Sequence, residues 1–232
     1  MTVVKYFPVI LFLTMGVLLS GQDDKFASAR ERMVREQIES RGITDPATLK
    51  AMRKVLRHLF VPEEYRNESY DDNPLPIGYS QTISQPFIVA YMTEAVKPGK
   101  TKKALEIGTG SGYQAAILAE TVDKVYTIEI IPELAREASE RLKGMGYANI
   151  FCRAGDGYKG WPENAPFDII IVTAAPEQIP QPLIDQLAEG GRLVIPVGPP
   201  SAVQELILVE KLNGKTEKSR LTFVRFVPFK RL

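Results

Sequence analysis

Leu105-Glu106-Ile107-Gly108-Thr109-Gly110-Ser111-Gly112-Tyr113 is the stretch that decides how this chain folds. It follows a β-rich run at 103–107 and opens a helical one at 113–120, so it reads as a strand-to-helix turn. Glycines at alternate positions let the backbone turn sharply and let a ligand approach where a Cβ would collide. Working outward, the same rhythm repeats. β-rich runs at 124–129, 150–153, 168–173 and 192–197 alternate with helical segments near 132–143 and 181–187, the pattern of a parallel sheet covered by helices. Ile169-Ile170-Ile171-Val172 is a continuous β-branched run, as a central strand buried on both faces requires. Runs at 205–212 and 221–227 flank Asn213-Gly214 and predict an antiparallel hairpin.

The turn also carries chemistry. Glu129 ends the second strand, where a carboxylate can accept both hydroxyl hydrogens of a ribose, and its distance downstream suits the first βαβ unit of a nucleotide-binding sheet. The nicotinamide fingerprint G-x-G-x-x-G needs a third glycine at position 113, which is Tyr113. The pattern here is G-x-G-x-G, from Gly108 through Gly110 to Gly112, with Glu106 two residues ahead of it. A negative charge so close to the turn disfavours a pyrophosphate and suits a cofactor bearing an ammonium and a sulfonium. S-Adenosylmethionine is therefore the expected cofactor. Asp156-Gly157, after the third strand, completes the order of such a site. Gly110-Ser111-Gly112 is not a nucleophile elbow, which needs a residue between the serine and each glycine.

The expected fold is α/β: a Rossmann-like S-adenosylmethionine-dependent methyltransferase fold with a mainly parallel doubly wound sheet, a C-terminal antiparallel hairpin and N-terminal helices. Upstream of the sheet, 29–40 and a segment from the Asp45-Pro46 cap to Leu59 have helical spacing. The stretch through Asn73-Pro74-Leu75-Pro76-Ile77-Gly78 has too many prolines for regular structure and is expected to be an ordered loop. Residues 22–232 are read as one methyltransferase domain: 22–100 helices and substrate loop, 101–198 cofactor-binding core, 199–232 hairpin. Residues 1–21 form an apolar, signal-like or anchoring segment, short for a membrane span.

Composition narrows the chemistry. The 29 basic and 28 acidic residues nearly cancel, so no bulk charge points to nucleic acid or a membrane surface. Cys152 and His58 are the only residues of their types, which excludes an intrachain disulfide and any Cys/His zinc cluster; no metal is expected. A Ser/His/Asp triad could use only His58, whose setting reads as the end of an amphipathic helix and hence structural.

Several segments together resemble the protein-L-isoaspartate O-methyltransferase family: Val61-Pro62-Glu63, Pro76-Ile77-Gly78, Gln81-Thr82-Ile83-Ser84-Gln85-Pro86 and the glycine turn. Ala154-Gly155-Asp156-Gly157, Val172-Thr173-Ala174-Ala175 and 190–198 extend the similarity over essentially all of 29–232. The resemblance implies methyl transfer from S-adenosylmethionine to the α-carboxylate of an L-isoaspartyl residue in an aged protein or peptide. The ester then closes to a succinimide, whose hydrolysis returns part of the material to aspartate. By position, the resemblance makes Ser84 the active-site serine and places Thr82 and Ile83 beside the cofactor. It gives the ribose contact to Glu129, sets Ile130 against the adenine, and puts Asp156 and Gly157 at the adenine edge.

For the substrate peptide, Ile77, Gly78, Ser84, Pro196 and Val197 are the expected contacts, with the hairpin edge holding it in extended form. Two other readings share the fold: a methyltransferase for a small molecule or other carboxylate, and a cofactor-binding module without catalysis. The family's usual form is a cytoplasmic monomer, and the cofactor is made in the cytosol; the apolar N-terminal segment points instead to a periplasmic or secreted protein.

Overall fold

The computed structural model describes residues 23–200 and 202–231; the apolar, signal-like segment lies outside the described residues. In chain order the elements are α1 (Asp23–Arg32), α2 (Pro46–Lys54), β1 (Leu75–Gly78), β2 (Gln81–Ile83), α3 (Pro86–Ala95), β3 (Lys103–Ile107), α4 (Tyr113–Ala119), β4 (Lys124–Glu129) and α5 (Pro132–Gly144). There follow β5 (Ile150–Ala154), β6 (Phe167–Val172), α6 (Gln181–Asp185), β7 (Leu187–Val197), β8 (Gln204–Leu212) and β9 (Lys215–Val224).

The main sheet has the order β5-β4-β3-β6-β7-β8-β9. Its first five strands are parallel; β8 and β9 continue it antiparallel. Alternation along the strands divides the core. Ala104, Val125, Ile169, Ile171 and Val194 pack on one face with the N-terminal helices, and Leu105, Ile107, Ile170, Val172 and Leu193 pack on the other. Ile169 through Val172 are all fully buried, as their β-branched run predicts. Every residue of α4 is buried as well.

Four of the departures from sequence expectation have a local reason; in addition β7 begins at Leu187, earlier than the expected 192. The helix expected at 29–40 begins at Asp23, passes into a wide i→i+5 turn at Met33–Ile38 that buries Met33, Val34 and Ile38, and stops at Gly42 with φ 94°. The second helix ends at Lys54, not Leu59: Val55 is extended, and the chain turns so that the buried Arg57 reaches the carbonyls of Ser69 (2.7 Å) and Asn73 (3.4 Å). The proline-rich stretch is no irregular loop, because Leu75–Gly78 pairs with Gln81–Ile83 in a two-stranded hairpin. In so small a sheet both strands are edges, so Pro76 displaces no ladder bond. Finally, the C-terminal hairpin begins its second strand at Lys215, not at 221. Asn213 and Gly214 both have positive φ and make a two-residue turn that sets Leu212 opposite Lys215; the charged residues that follow are those of an exposed edge strand.

Asp45 caps α2, its carboxylate accepting the Thr48 amide at 2.7 Å. Asp45→Ala should lower unfolding free energy by about 1 kcal/mol, read as a shift in the denaturant midpoint without a change in slope.

Candidate active site

Strand order reverses around β3, whose neighbours β4 and β6 lead to opposite halves of the sheet. A doubly wound sheet opens a crevice at the carboxyl ends of its strands at such a point. A cavity lies there, lined by the glycine turn, the ends of β4 and β6, the segment 81–84 and the C-terminal residues 227–230.

Gly108 is the tightest position of the turn. Its φ is +97°, and a Cβ would lie 2.4 Å from Thr173 Oγ1. That hydroxyl donates to the carbonyls of Ile107 (3.0 Å) and Gly108 (2.7 Å), tying the turn to the end of β6. Gly110 has φ +51°, and its amide donates to Glu129 Oε2 at 2.8 Å. Glu129 Oε1 accepts the Ile131 amide at 3.0 Å, so two backbone groups aim this buried carboxylate. Gly112 stands behind the turn as the N-cap of α4, against Leu142.

Glu106 is fully buried, yet it borders the cavity. Its Oε2 accepts from Thr127 Oγ1 at 2.5 Å, and Thr127 Oγ1 in turn meets Thr109 Oγ1 at 2.6 Å. Burial pushes the carboxyl up to about 8; the Thr127 hydrogen bond opposes this and the nearby Glu129 adds to it. Its Oε1 and the Oε1 of Gln114, another lining residue whose Nε2 donates to Thr93, have no hydrogen-bond partner among the described residues. Buried acceptors of this kind are costly unless something donates to them. This end of the cavity suits a cation rich in N–H donors.

Thr82, Ile83, Ser84, Glu106, Gly108, Gly110, Glu129, Ile130 and Gly157 all line the cavity. Asp156 does not: its Oδ1 accepts the Tyr158 amide at 3.0 Å and its Oδ2 accepts from Arg231 at 2.9 Å, so it fastens the C-terminal tail beside the cavity. The structure also puts Ile77, Gly78, Pro196 and Val197 outside the linings. Ile77 is turned inward, its Cδ1 supporting Gly110, and Gly78 lies at the outer end of the hairpin. Pro196 and Val197 end β7, opposite Leu206 and Glu205 of β8, Pro196 buried and Val197 half-buried. His58 is buried against Phe26 at 4.5 Å with Nδ1 2.8 Å from the Tyr70 hydroxyl, away from the cavity.

Sequence reasoning did not single out Thr173, Gln114, Phe229 or Lys230, which also line the cavity. Thr173 lay within a recognised segment. The C-terminal pair offered no signal, because only tertiary folding brings the tail across: Ala175 donates to the Val227 carbonyl at 2.9 Å and Phe229 donates back to Ala175 at 3.0 Å.

A second cavity adjoins the first and shares Thr82, Ser84, Thr173 and Val227 with it. Ser84 is half-buried where the two meet, and its hydroxyl makes no hydrogen bond among the described residues. It is not a loop-capping serine. Its loop is held from below by Asp72, which accepts from the Gln85 side chain (2.6 Å) and the Phe87 amide (3.2 Å).

This sheet order with its glycine turn is the Rossmann-like fold of S-adenosylmethionine-dependent methyltransferases. Residues 28–231 match the family model described as Protein-L-isoaspartate(D-aspartate) O-methyltransferase. The chain is 58% identical over 221 residues to the protein-L-isoaspartate O-methyltransferase of Opitutus terrae, covering 95% of each chain. It is 53% identical to protein-L-isoaspartate O-methyltransferase 2 of Syntrophobacter fumaroxidans, covering 96% of this chain and 95% of that one. Among solved structures, one called protein-L-isoaspartate O-methyltransferase superposes with a TM-score of 0.79 at 29% identity, over 86% of this chain and 65% of that longer one. A Plasmodium falciparum structure, described under the same enzyme name and in complex with S-adenosyl-L-homocysteine, superposes with a TM-score of 0.74 at 28% identity, over 88% and 99%. The chain belongs to the protein-L-isoaspartate O-methyltransferase family.

A carboxyl with a raised pKa stays protonated in the folded protein after its unfolded counterpart has ionised. Glu106 therefore withdraws stability from the cofactor-free protein as pH rises from about 4.5 to about 8. Glu106→Gln should flatten the fall in thermal midpoint across that window; an unaltered slope would mean that Glu106 is already ionised in the fold.

Proposed function

We propose that this chain transfers a methyl group from S-adenosylmethionine to the α-carboxylate of L-isoaspartyl residues in damaged proteins and peptides. The observation that carries the reading is the junction of the two cavities at Thr82 and Ser84, within a chain that belongs to this family over nearly its whole length. One cavity fits the cofactor and the other an extended peptide.

When bound, S-adenosylmethionine supplies an electrophilic sulfonium methyl group. The residues present fit it. Glu106 Oε1 and Gln114 Oε1 are buried acceptors that would receive its ammonium group, and Glu129, aimed by Gly110 and Ile131, would hold the ribose hydroxyls. Ile83 and Ile130 offer apolar surface for the adenine, beside Gly157. Gly108 and Gly110, both at positive φ, give the turn its path, Gly108 leaving room for Thr173 and Gly110 for Ile77.

The acceptor of the methyl group needs no general base, since a carboxylic acid of pKa about 4 is ionised at neutral pH. The isolation of His58 from both cavities is consistent with that chemistry. Opposite charges disappear in the displacement, so a site that excludes water and aligns the reacting atoms supplies most of what is required. Ser84, its hydroxyl uncommitted, donates a hydrogen bond to the substrate carboxylate and orients it. It is not a covalent nucleophile.

Isoaspartyl and aspartyl linkages carry the same charge and differ by one backbone methylene, so selection rests on shape. With radiolabelled cofactor, an isoaspartyl peptide should be methylated and its aspartyl counterpart left unlabelled; equal labelling of the two would refute the proposal. Ser84→Ala should lower turnover about tenfold or more, the worth of one hydrogen bond to a charged group, while the cofactor Kd measured by calorimetry stays nearly unchanged. Unaltered turnover would remove Ser84 from the reaction.

A further inference from the structure

The second cavity has one charged residue among the twelve that line it, and that residue is Arg225. The rest of the wall is apolar or neutral, with Val203 46% and Phe223 58% exposed at it. Most arginines of the described residues are engaged. Arg41 binds Asp72, Arg53 binds Glu31 and Glu39, Arg192 binds Glu210, and Arg231 binds Asp156. Arg225 is exposed and makes no ion pair among the described residues. The acid nearest in the strand register is Glu205, opposite Phe223 on β8, and it is bound by Arg220 at 3.0 Å.

The backbone around it is held in place. The Phe226 amide donates to Gln204 Oε1 at 2.9 Å, and the Val227 carbonyl accepts the Ala175 amide at 2.9 Å. Val227 lines both cavities, so it marks where they join. Arg225 stands two residues away, at most about 7 Å of chain. Ser84 and Arg225 line the same groove, so a peptide whose reacting residue lies at Ser84 and which extends through it passes the guanidinium within a few residues.

We propose that Arg225 is a specificity-determining residue: it selects isoaspartyl substrates that carry an acidic side chain two positions from the damaged residue. The inference rests on the proposed methylation of isoaspartyl peptides and concerns which of them react fastest. Arginine suits the task because its planar fork receives a carboxylate through two parallel hydrogen bonds, and the apolar walls of the groove screen that pair less than open water does.

The test uses the full chain and isoaspartyl peptides of one sequence, with Glu, Ala or Lys two positions away on either side. In the unaltered protein, on one of the two sides, kcat/KM for the Glu peptide should exceed that for the Lys peptide by about fivefold or more, the upper range for a solvent-exposed pair. Raising the salt to about 0.5 M should shrink the ratio. Arg225→Gln should bring the ratio close to one, and Arg225→Lys should restore part of it. A ratio near one in the unaltered protein on both sides, or a preference that persists in Arg225→Gln, overturns the inference while methylation of the Ala peptide leaves the proposed function standing. The salt series on the unaltered protein decides the matter if a variant fails to fold: a ratio insensitive to salt counts against Arg225. Failure to methylate any of the peptides overturns the proposed function and this inference with it.

Discussion

The contact between Thr173 and Gly108 is the constraint on which the site depends. One hydroxyl donates to two successive carbonyls at the end of β3, and it occupies the space that a Cβ on Gly108 would need. The turn therefore leaves β3 in a single direction, with Gly110 presenting its amide to Glu129. Three strands meet through these bonds: β3 through the turn, β4 through Glu129 and β6 through Thr173. The cofactor cavity is the space they leave.

Electrostatics give that space its character. Glu106 lies beneath the turn in a medium that resists its ionisation, with one oxygen bound by Thr127 and the other buried without a hydrogen-bond partner among the described residues. Gln114 adds a second open acceptor from α4. Glu106 stays protonated while the site is empty, so the charge argument against a pyrophosphate applies once a bound ammonium favours its ionised form.

The substrate side is assembled from parts distant in the chain. The hairpin β1–β2 leads into Ser84, Asp72 holds the loop beyond it, and the end of β9 returns to close both cavities with residues 223–230. β8 and β9 have no part in the parallel core, yet they place the tail at the reacting end of the sheet. The antiparallel extension thus has a positioning task in addition to covering the edge of β7.

What the sequence determined by itself was whatever depends on near neighbours in the chain. The β-branched run of β6, the alternation of strands and helices and the Asn-Gly turn are local patterns. The glycines of the turn and the carboxylate at Glu129 are legible for the same reason, since a turn of fixed length must place the end of the next strand beside it. Tertiary structure decided the rest. It showed that Pro76 can sit in a strand because that strand has no further neighbour, and that Ile77 packs beside Gly110 without lining either cavity. It also left Pro196 and Val197, at the end of β7, outside both linings and brought Gln114, Phe229 and Arg225 to the cavities. Those placements follow from side chains meeting across long separations in the chain, where no periodicity or spacing records the contact and only the packed sheet determines which face each residue shows.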